Sequence, residues 1–278
     1  MNNFENVIGF GVAGNFAGHL EQAGEAADFV NVKTEEEIQP KAIFPFYVPS
    51  DKLNSPYQFL SVYPISANTI AFPQDADNLQ IEPEIALLCD IQYSGQKVTA
   101  LLPRAFAAYN DCSIRRPGAN KICEKKNWGA SSKGIADTFI PLSSFEHGSE
   151  IDQYRIACFH KRNGELNHYG VDSPALGYSY FHQKLLTWIV DKMNNQPDEG
   201  PMNNIAELLQ QANYPQKAII GIGATRYTEF GETHFLQPGD TSIVVVYNGS
   251  QYSAEQIVGM ANNENFAPDI SALVQKVV

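Results

Sequence analysis

Residues 81–88 read IEPEIALL and carry two glutamates, Glu82 and Glu84, spaced two apart in a run that is typical of a β-strand. Side chains alternate between the two faces of a strand, so both carboxylates lie on one face and the aliphatic side chains on the other. Two like charges side by side on a sheet repel each other unless a cation lies between them. The stretch therefore predicts either a cation site or an acidic strand that faces solvent.

Two later stretches carry further candidate groups. Residues 109–116 read YNDCSIRR, with Asp111 ahead of a basic pair, and residues 128–142 read WGASSKGIADTFIPL, with Lys133 among small residues before an apolar strand. An acid followed by a basic pair is most often a surface ion pair, and a lone lysine carries little information. Neither stretch predicts a site by itself.

In this order, the three stretches resemble the core signature of the fumarylacetoacetate hydrolase superfamily. That signature is a Glu-x-Glu strand, an Asn-Asp-x-Ser-x-Arg turn and a Trp-x-x-x-x-Lys-Gly segment that leads into a Pro-Leu strand. The matching residues here are Glu82 and Glu84; Asn110, Asp111, Ser113 and Arg115; and Trp128, Lys133, Gly134, Pro141 and Leu142.

The resemblance extends towards both ends of the chain. The segment GFGVAGNFAGH at residues 9–19 is similar to an early element of the family. RNGEL at residues 162–166 is similar to a family hairpin, and residues 221–240 resemble a late glycine-threonine loop that is followed by a Leu-x-Pro-Gly-Asp turn. It implies an α+β fold in which a large mixed β-sheet roll carries peripheral helices. We expect one domain over residues 1–278, with an N-terminal extension and lid at 1–65 and a β-rich catalytic core at 66–278.

The local patterns predict the same class of fold. Short apolar runs separated by turn residues between 68 and 145 indicate strands, and Asn163-Gly164 indicates the turn of a hairpin over 152–171. Apolar residues at helical spacing predict helices within about 178–214. A helix is also expected from Asn15 to about Asp28. Because the predicted strands come before the late helices instead of alternating with them, this order favours the α+β class over alternating βαβ units.

The resemblance implies a divalent metal, Mg²⁺ or else Mn²⁺ or Ca²⁺, held by Glu82, Glu84 and Asp111. The residue types agree with this, because hard cations prefer carboxylate oxygens. Family substrates are small anionic keto acids or 1,3-dicarbonyl compounds that chelate the metal and react through a metal-bound enolate. The chain is therefore expected to be a hydrolase or lyase, with hydrolysis, decarboxylation and isomerisation all open.

The resemblance also implies roles for residues around the metal. Lys133 matches a lysine near the substrate oxyanion, and His19 matches a histidine that activates water together with a glutamate three residues later. That position is Gln22 here, and Glu21 is the neighbouring acid, so we predict His19, Lys133 and Glu21 as catalytic. The predicted substrate-binding residues are Asn15, Arg115, Thr225 and Arg226.

Two departures from the family pattern lie near the predicted site. Glutamine at position 22 cannot take a proton, and Gly118 stands three residues after Arg115, where several members have a substrate-contacting glutamine. The basic run at residues 115–126 is interpreted either as a mobile flap over an anionic substrate or as a solvated surface loop.

Composition limits the partners and the location of the protein. The chain has 278 residues, 44% of them hydrophobic, and a formal charge of −12, which disfavours nucleic acid and anionic membranes as partners. Its four cysteines show no CxxC spacing, and the N-terminus lacks the features of a signal peptide. We therefore expect a cytoplasmic protein, and the family resemblance implies a homodimer.

Two other functions remain open from the sequence. The altered residues Gln22 and Gly118 are compatible with a non-catalytic member that binds a metal or metabolite without turnover. Gly9, Gly11 and Gly14 also form a GxGxxG pattern of the kind that binds dinucleotides, with Glu35 at a suitable distance for a ribose. This pattern would make the chain an oxidoreductase, or it would only permit a tight turn.

Overall fold

The computed structural model describes residues 4–32, 34–76, 78–116 and 118–278. Most of the regular structure in these residues is β. The strands are β1 Ile8–Ala13, β2 Ala42–Tyr47, β3 Ile65–Ser66, β4 Thr69–Ile70, β5 Leu79–Gln80, β6 Pro83–Ser94, β7 Lys97–Asn110, β8 Ser113–Ile114, β9 Lys133–Ile135, β10 Ile140–Pro141, β11 Tyr154–Arg162, β12 Glu165–Pro174, β13 Lys217–Gly221, β14 Thr241–Asn248 and β15 Ser271–Val277.

The larger sheet has the strand order β2-β1-β13-β6-β7-β9-β3, and β10 pairs with β7 outside this path. The β1–β13 and β9–β3 pairs are parallel, and the remaining pairs are antiparallel. The long β6–β7 hairpin at its centre aligns Pro83 with Asn110, which brings the Glu-x-Glu stretch next to the Asn-Asp turn. The sheet thus joins two sequence motifs that are about 30 residues apart along the chain.

A second, five-stranded sheet has the order β12-β11-β14-β15-β4. Its β11–β12 hairpin turns at Asn163 and Gly164, whose φ angles of 53° and 84° are in the left-handed region, as the Asn-Gly pair predicted. Inward side chains of both sheets, among them Leu87 and Val244, belong to one buried apolar cluster. The two sheets therefore share a core, and the α+β class that the sequence predicted is confirmed.

Five helices occur in the described residues, and the two predicted late in the chain are present. The helices are α1 His19–Gln22, α2 His182–Asn195, α3 Ile205–Gln211, α4 Glu229–Thr233 and α5 Ala254–Asn263. None of them has the length and apolarity needed to cross a bilayer. Residues 254–263 had not been predicted as a helix, although Ser253 and Gln256 form a capping box at its start.

The helix expected from Asn15 to about Asp28 is much shorter in the structure. It consists of the four-residue helix α1 and a 3-10 turn at Ala26–Phe29. Gly18 and Gly24 have φ angles of 83° and 71°, a conformation that no α-helix contains, so the segment folds as separate turns.

The N-terminal residues, predicted to be an extension and a lid, also contribute two strands to the larger sheet. β1 lies inside that sheet between β2 and β13, and β2 forms its edge, where Pro45 is tolerated. The glycines of the GxGxxG pattern are explained by packing. A Cβ on Gly9 or Gly11 would overlap the ring of Phe46 or Phe44, and both glycines lie within a strand instead of a strand-to-helix turn. The structure therefore gives no dinucleotide-binding loop at these residues.

Candidate metal centre

Glu82, Glu84 and Asp111 converge on one point at the start of the β6–β7 hairpin. One ligand oxygen from each residue lies within 4.8 Å of the others, and all three side chains are buried. The backbone fixes this arrangement, because Asp111 N donates to Glu82 O at 3.0 Å and Asn110 Oδ1 accepts from Glu82 N at 3.1 Å. We call these three residues the acidic triad.

Glu84 is almost fully buried and lies against strand β13, which has a glycine at the point of contact. A Cβ on Gly221 of β13 would overlap Glu84 Oε2, and Gly223 N donates to that oxygen at 3.0 Å. Burial, together with the nearby charges of Asp111 and Glu82, raises the pKa of Glu84 well above its usual range. Burial and the two neighbouring carboxylates therefore favour the protonated form of Glu84.

A lysine ammonium bridges the other two members of the acidic triad. Lys126 Nζ lies 2.6 Å from Glu82 Oε2 and 2.7 Å from Asp111 Oδ2, and its side chain is buried. Burial alone would raise the pKa of Glu82, but the charges of Lys126 and Arg115 outweigh it and hold that pKa well below its usual range. Glu82 is therefore ionised and paired.

Arg115 holds the outer side of Glu82. Its Nη1 lies 2.7 Å from both Glu82 Oε1 and Glu25 Oε1, and its Nε and Nη2 donate to Gln80 Oε1 at 2.6 Å and Tyr227 OH at 2.8 Å. All of these contacts are within the protein, so Arg115, predicted to bind substrate, positions Glu82 in this conformation.

The residues present fit a hard divalent cation. Two oxygens of the acidic triad, Glu82 Oε1 and Asp111 Oδ2, are buried and accept no hydrogen bond of good geometry, although Arg115 and Lys126 each bring a charged nitrogen to 2.7 Å. Three carboxylates, two of which have such incompletely satisfied oxygens, are the donor set that Mg²⁺, Mn²⁺ and Ca²⁺ prefer. The acidic triad therefore has the chemistry of a metal site, and its role as ligand set stays a prediction.

The space beside the acidic triad is small. A cavity of about 20 Å³, enough for one water-sized group, is lined by residues that include His19, Glu25, Glu82, Glu84 and Lys126. A roomier cleft of about 400 Å³ beside β3 and β9 contains no triad residue. We place the chemistry at the smaller cavity, because the ionisable groups meet there.

His19 lies at this cavity, at the start of α1. Its ring is buried, and Nδ1 is 2.9 Å from the carbonyl oxygen of Thr225. A carbonyl only accepts, so Nδ1 carries the proton and Nε2 is left with the lone pair. Burial lowers the pKa of His19 to about 4, against the opposing charge of Glu82, so the ring is neutral at physiological pH.

The low pKa of His19 makes folding stability depend on pH. The unfolded histidine takes up a proton as pH falls through about 6.5, whereas the folded one does so only near pH 4. Between these values the unfolded chain binds more protons, so stability falls as pH falls. Between roughly pH 7.5 and 5, we expect the free energy of unfolding to fall by about 2 kcal/mol less in His19→Gln than in the wild type. Urea titrations of both proteins at the two pH values measure this difference. Equal losses of unfolding free energy in the wild type and the variant would contradict the prediction.

Lys133 lies behind the acidic triad and is absent from the lining of the cavity. Its fully buried ammonium donates to the backbone carbonyl of Cys112, and more distantly to those of Asp111 at 3.4 Å and Ser132 at 3.3 Å. It is also 3.7 Å from Asp111 Oδ1. Burial lowers the pKa of Lys133 to about 8, with Asp111 opposing the shift. In this conformation Lys133 anchors the Asp111 turn, and Lys126 is the ammonium at the cavity.

The other predicted site residues divide into buried structural groups and exposed ones. Asn15 is fully buried and bonds to the backbone of Tyr180 and Ile222, and Thr225 is buried and accepts from His19. Glu21 and Arg226 are exposed and do not line the cavity. The structure therefore does not bring Asn15, Glu21 or Arg226 to the centre.

Two residues of the centre had no assigned role in the sequence analysis. Lys126 was one of several lysines in a basic run, and the acid predicted to act beside His19 was Glu21 instead of Glu25. Glu25 is buried and pairs with both Arg115 and Lys125, so it is the acid of the N-terminal segment that faces the site. Sequence spacing could not have identified either residue as part of the site. The directions of their side chains depend on the turn at residues 23–25 and on the loop at residues 118–126.

Sequence comparison assigns the chain to a family. Residues 25–277 match the model of a family of unknown function, DUF5718. The chain belongs to DUF5718. No curated protein matches its sequence at a significant level.

Solved structures show how the DUF5718 chain is folded. It is similar to Cg1458 with inhibitor, at 15% identity and a TM-score of 0.56, covering 98% of this chain and 76% of that one. It also resembles 5-carboxymethyl-2-hydroxymuconate delta-isomerase from Mycobacterium smegmatis, at 14% identity and a TM-score of 0.52, covering 98% and 78%. A third is 2-keto-3-deoxyarabinonate dehydratase, at 12% identity and a TM-score of 0.51, covering 97% and 72%. DUF5718 thus has the fold of the fumarylacetoacetate hydrolase superfamily, as the motifs predicted.

Proposed function

We propose that this DUF5718 protein is a divalent-metal-dependent enzyme that acts on a small anionic keto acid or 1,3-dicarbonyl compound. The observation that carries the proposal is the buried acidic triad of Glu82, Glu84 and Asp111, whose ligand oxygens lie within 4.8 Å of one another. The names of two similarly folded proteins, a keto-acid dehydratase and a hydroxymuconate isomerase, support the substrate class. Hydrolysis, decarboxylation and isomerisation remain equally open.

The chain's own residues supply binding and proton transfer. A divalent cation held by the acidic triad would act as a Lewis acid on a substrate carbonyl. His19 faces the same cavity with a neutral ring, and its bond to Thr225 leaves Nε2 free to take a proton from substrate carbon or from water. Gln22 cannot assist, since it is tied to the backbone of Tyr227. His19 is therefore the base.

Substrate entry requires part of the site to open, since a keto acid needs more than the 20 Å³ cavity. The N-terminal segment closes over the site through ion pairs, with Lys125 Nζ 3.0 Å from Glu25 and 2.9 Å from Asp28. Breaking these pairs would move the segment that carries His19 away from the basic loop. The N-terminal segment serves as the lid.

A non-catalytic member that binds a metal or metabolite is the second candidate. The closed cavity, the internal pairing of Arg115 and the glutamine at position 22 favour it. The two functions differ in one measurable step, which is removal of a proton from substrate.

Proton exchange tests the enzyme function without knowledge of the full reaction. The protein is incubated in D₂O with Mg²⁺ and pyruvate or 2-oxobutanoate, and loss of the C3 proton signals is followed by NMR. We expect exchange above the Mg²⁺ blank, because His19 Nε2 takes the proton and returns a deuteron to the same carbon.

His19→Gln serves as the matched variant, and we expect it to lose exchange and keep Mg²⁺ affinity. Metal binding without exchange on any small keto acid would favour the non-catalytic candidate. Absence of metal binding would refute the enzyme function and would leave the non-catalytic candidate only as a metabolite-binding protein.

A further inference from the structure

We propose that Lys126 is a resident cation in the metal position, and that a metal ion binds only when its ammonium leaves the acidic triad. The inference rests on the proposed metal site and adds a residue that sets its affinity. Sequence motifs gave no role to Lys126, and the structure places it at the centre.

The geometry points to direct competition. Lys126 Nζ contacts Glu82 Oε2 at 2.6 Å and Asp111 Oδ2 at 2.7 Å and so bridges two of the predicted ligands. The remaining oxygens of these two carboxylates are also taken, Glu82 Oε1 by Arg115 at 2.7 Å and Asp111 Oδ1 by Tyr109 OH at 3.1 Å. A metal ion held by both carboxylates would therefore compete with the Lys126 ammonium for the same oxygens.

Charge balance indicates which partner leaves. Glu82 and Asp111 already face three cationic groups, Arg115, Lys126 and Lys133, so two more positive charges from a metal ion would lack counter-charges. Besides the acidic triad, Arg115 is held by Gln80, Tyr227 and Glu25. Lys133 is held by backbone carbonyls as well. Among the residues that the structure describes, Lys126 Nζ forms hydrogen bonds or ion pairs with Glu82 and Asp111 of the acidic triad alone. Lys126 is thus the partner that can be exchanged.

The side chain can leave while the backbone stays. Lys126 N donates to Cys123 O at 3.1 Å, and the next residue, Asn127, binds the carbonyls of Phe46 and Val62 at 2.9 and 3.0 Å. A long lysine side chain changes rotamer without moving such an anchored backbone. Glu25 lines the same cavity and offers the displaced ammonium a new carboxylate.

Lys125 provides a matched control for Lys126. It is the adjacent residue, is equally buried and also forms ion pairs, but with Glu25 and Asp28 instead of the acidic triad. Mn²⁺ affinity is measured by isothermal titration calorimetry on full-length wild type, Lys126→Met, Lys126→Gln and Lys125→Met. The glutamine variant retains one hydrogen bond to the carboxylates and guards against a methionine variant that fails to fold.

We expect both Lys126 variants to bind Mn²⁺ at least about 10-fold more tightly than wild type, with Lys125→Met within about 3-fold of wild type. A purely structural lysine would not produce this gain. Equal or weaker affinity in the Lys126 variants, with measurable binding by wild type, would overturn the inference and leave the metal site standing. The same gain in Lys125→Met would also overturn it, since general loosening of the loop would then explain both. No binding by any of the proteins would overturn the inference together with the metal function.

Discussion

Replacing Glu84 by glutamine is expected to lower Mn²⁺ affinity by roughly 100-fold or more while leaving the metal-free protein at least as stable as wild type. The raised pKa of Glu84 means that its surroundings in the metal-free protein favour the protonated carboxyl over the carboxylate. Glutamine has nearly the same shape, and its amide oxygen can accept the bond from Gly223 N that Glu84 Oε2 accepts at 3.0 Å. The neutral amide oxygen of glutamine, by contrast, is a weaker ligand for a divalent cation than a carboxylate, because it carries no negative charge.

The experiment combines Mn²⁺ titration with urea unfolding of the metal-free protein. Glu21→Gln is the control, because it removes an acid from the exposed side of the neighbouring helix α1. We expect this control to bind Mn²⁺ like wild type. Unchanged affinity in Glu84→Gln would remove Glu84 from the ligand set. A loss of stability by several kcal/mol would show that Glu84 is ionised and paired in the metal-free protein.

Replacing Lys133 by methionine is expected to lower the free energy of unfolding by about 3–5 kcal/mol. Lys133 is fully buried, and its ammonium donates to the carbonyls of Asp111, Cys112 and Ser132. Methionine would keep much of the apolar contact with Trp128, whose ring lies 5.1 Å from Nζ. The carbonyls would lose their hydrogen-bond donor, and Asp111 would lose a nearby positive charge. Both losses lower the stability of the folded protein, because the groups are buried and cannot turn to water instead.

Urea unfolding of Lys133→Met and Lys161→Met measures this effect. Lys161 bonds to Asn262 O at 2.9 Å and Glu264 at 2.8 Å near the surface, and we expect its removal to cost less than about 1 kcal/mol. If Lys133→Met is instead as stable as wild type and loses only proton exchange with substrate, Lys133 acts on the substrate oxyanion, as the family resemblance implied. The stability measurement therefore separates an anchor from a catalytic ammonium.

The sequence predicted those features that depend on local periodicity and turn chemistry. The Asn163-Gly164 hairpin and the two helices after residue 178 are present because each pattern specifies its own backbone conformation. It failed at residues 15–28, where Gly18 and Gly24 interrupt the helical pattern with positive φ angles. The GxGxxG pattern misled for a different reason: Gly9 and Gly11 are required by the rings of Phe46 and Phe44, which approach from another strand.

For the site, the sequence by itself determined the chemical groups, and tertiary structure decided their partners. Glu82, Glu84 and Asp111 could be selected in advance because the spacing of two residues in a strand and the position of a turn fix which way their side chains point. Lys126, Glu25 and Lys133 could not be placed in this way. Their ammonium and carboxylate groups lie at the ends of long side chains on turns and strand ends, so which charges they meet depends on packing between segments up to 100 residues apart. A sequence motif specifies ligands along one hairpin, whereas the balance of charge around them arises only when the chain is folded.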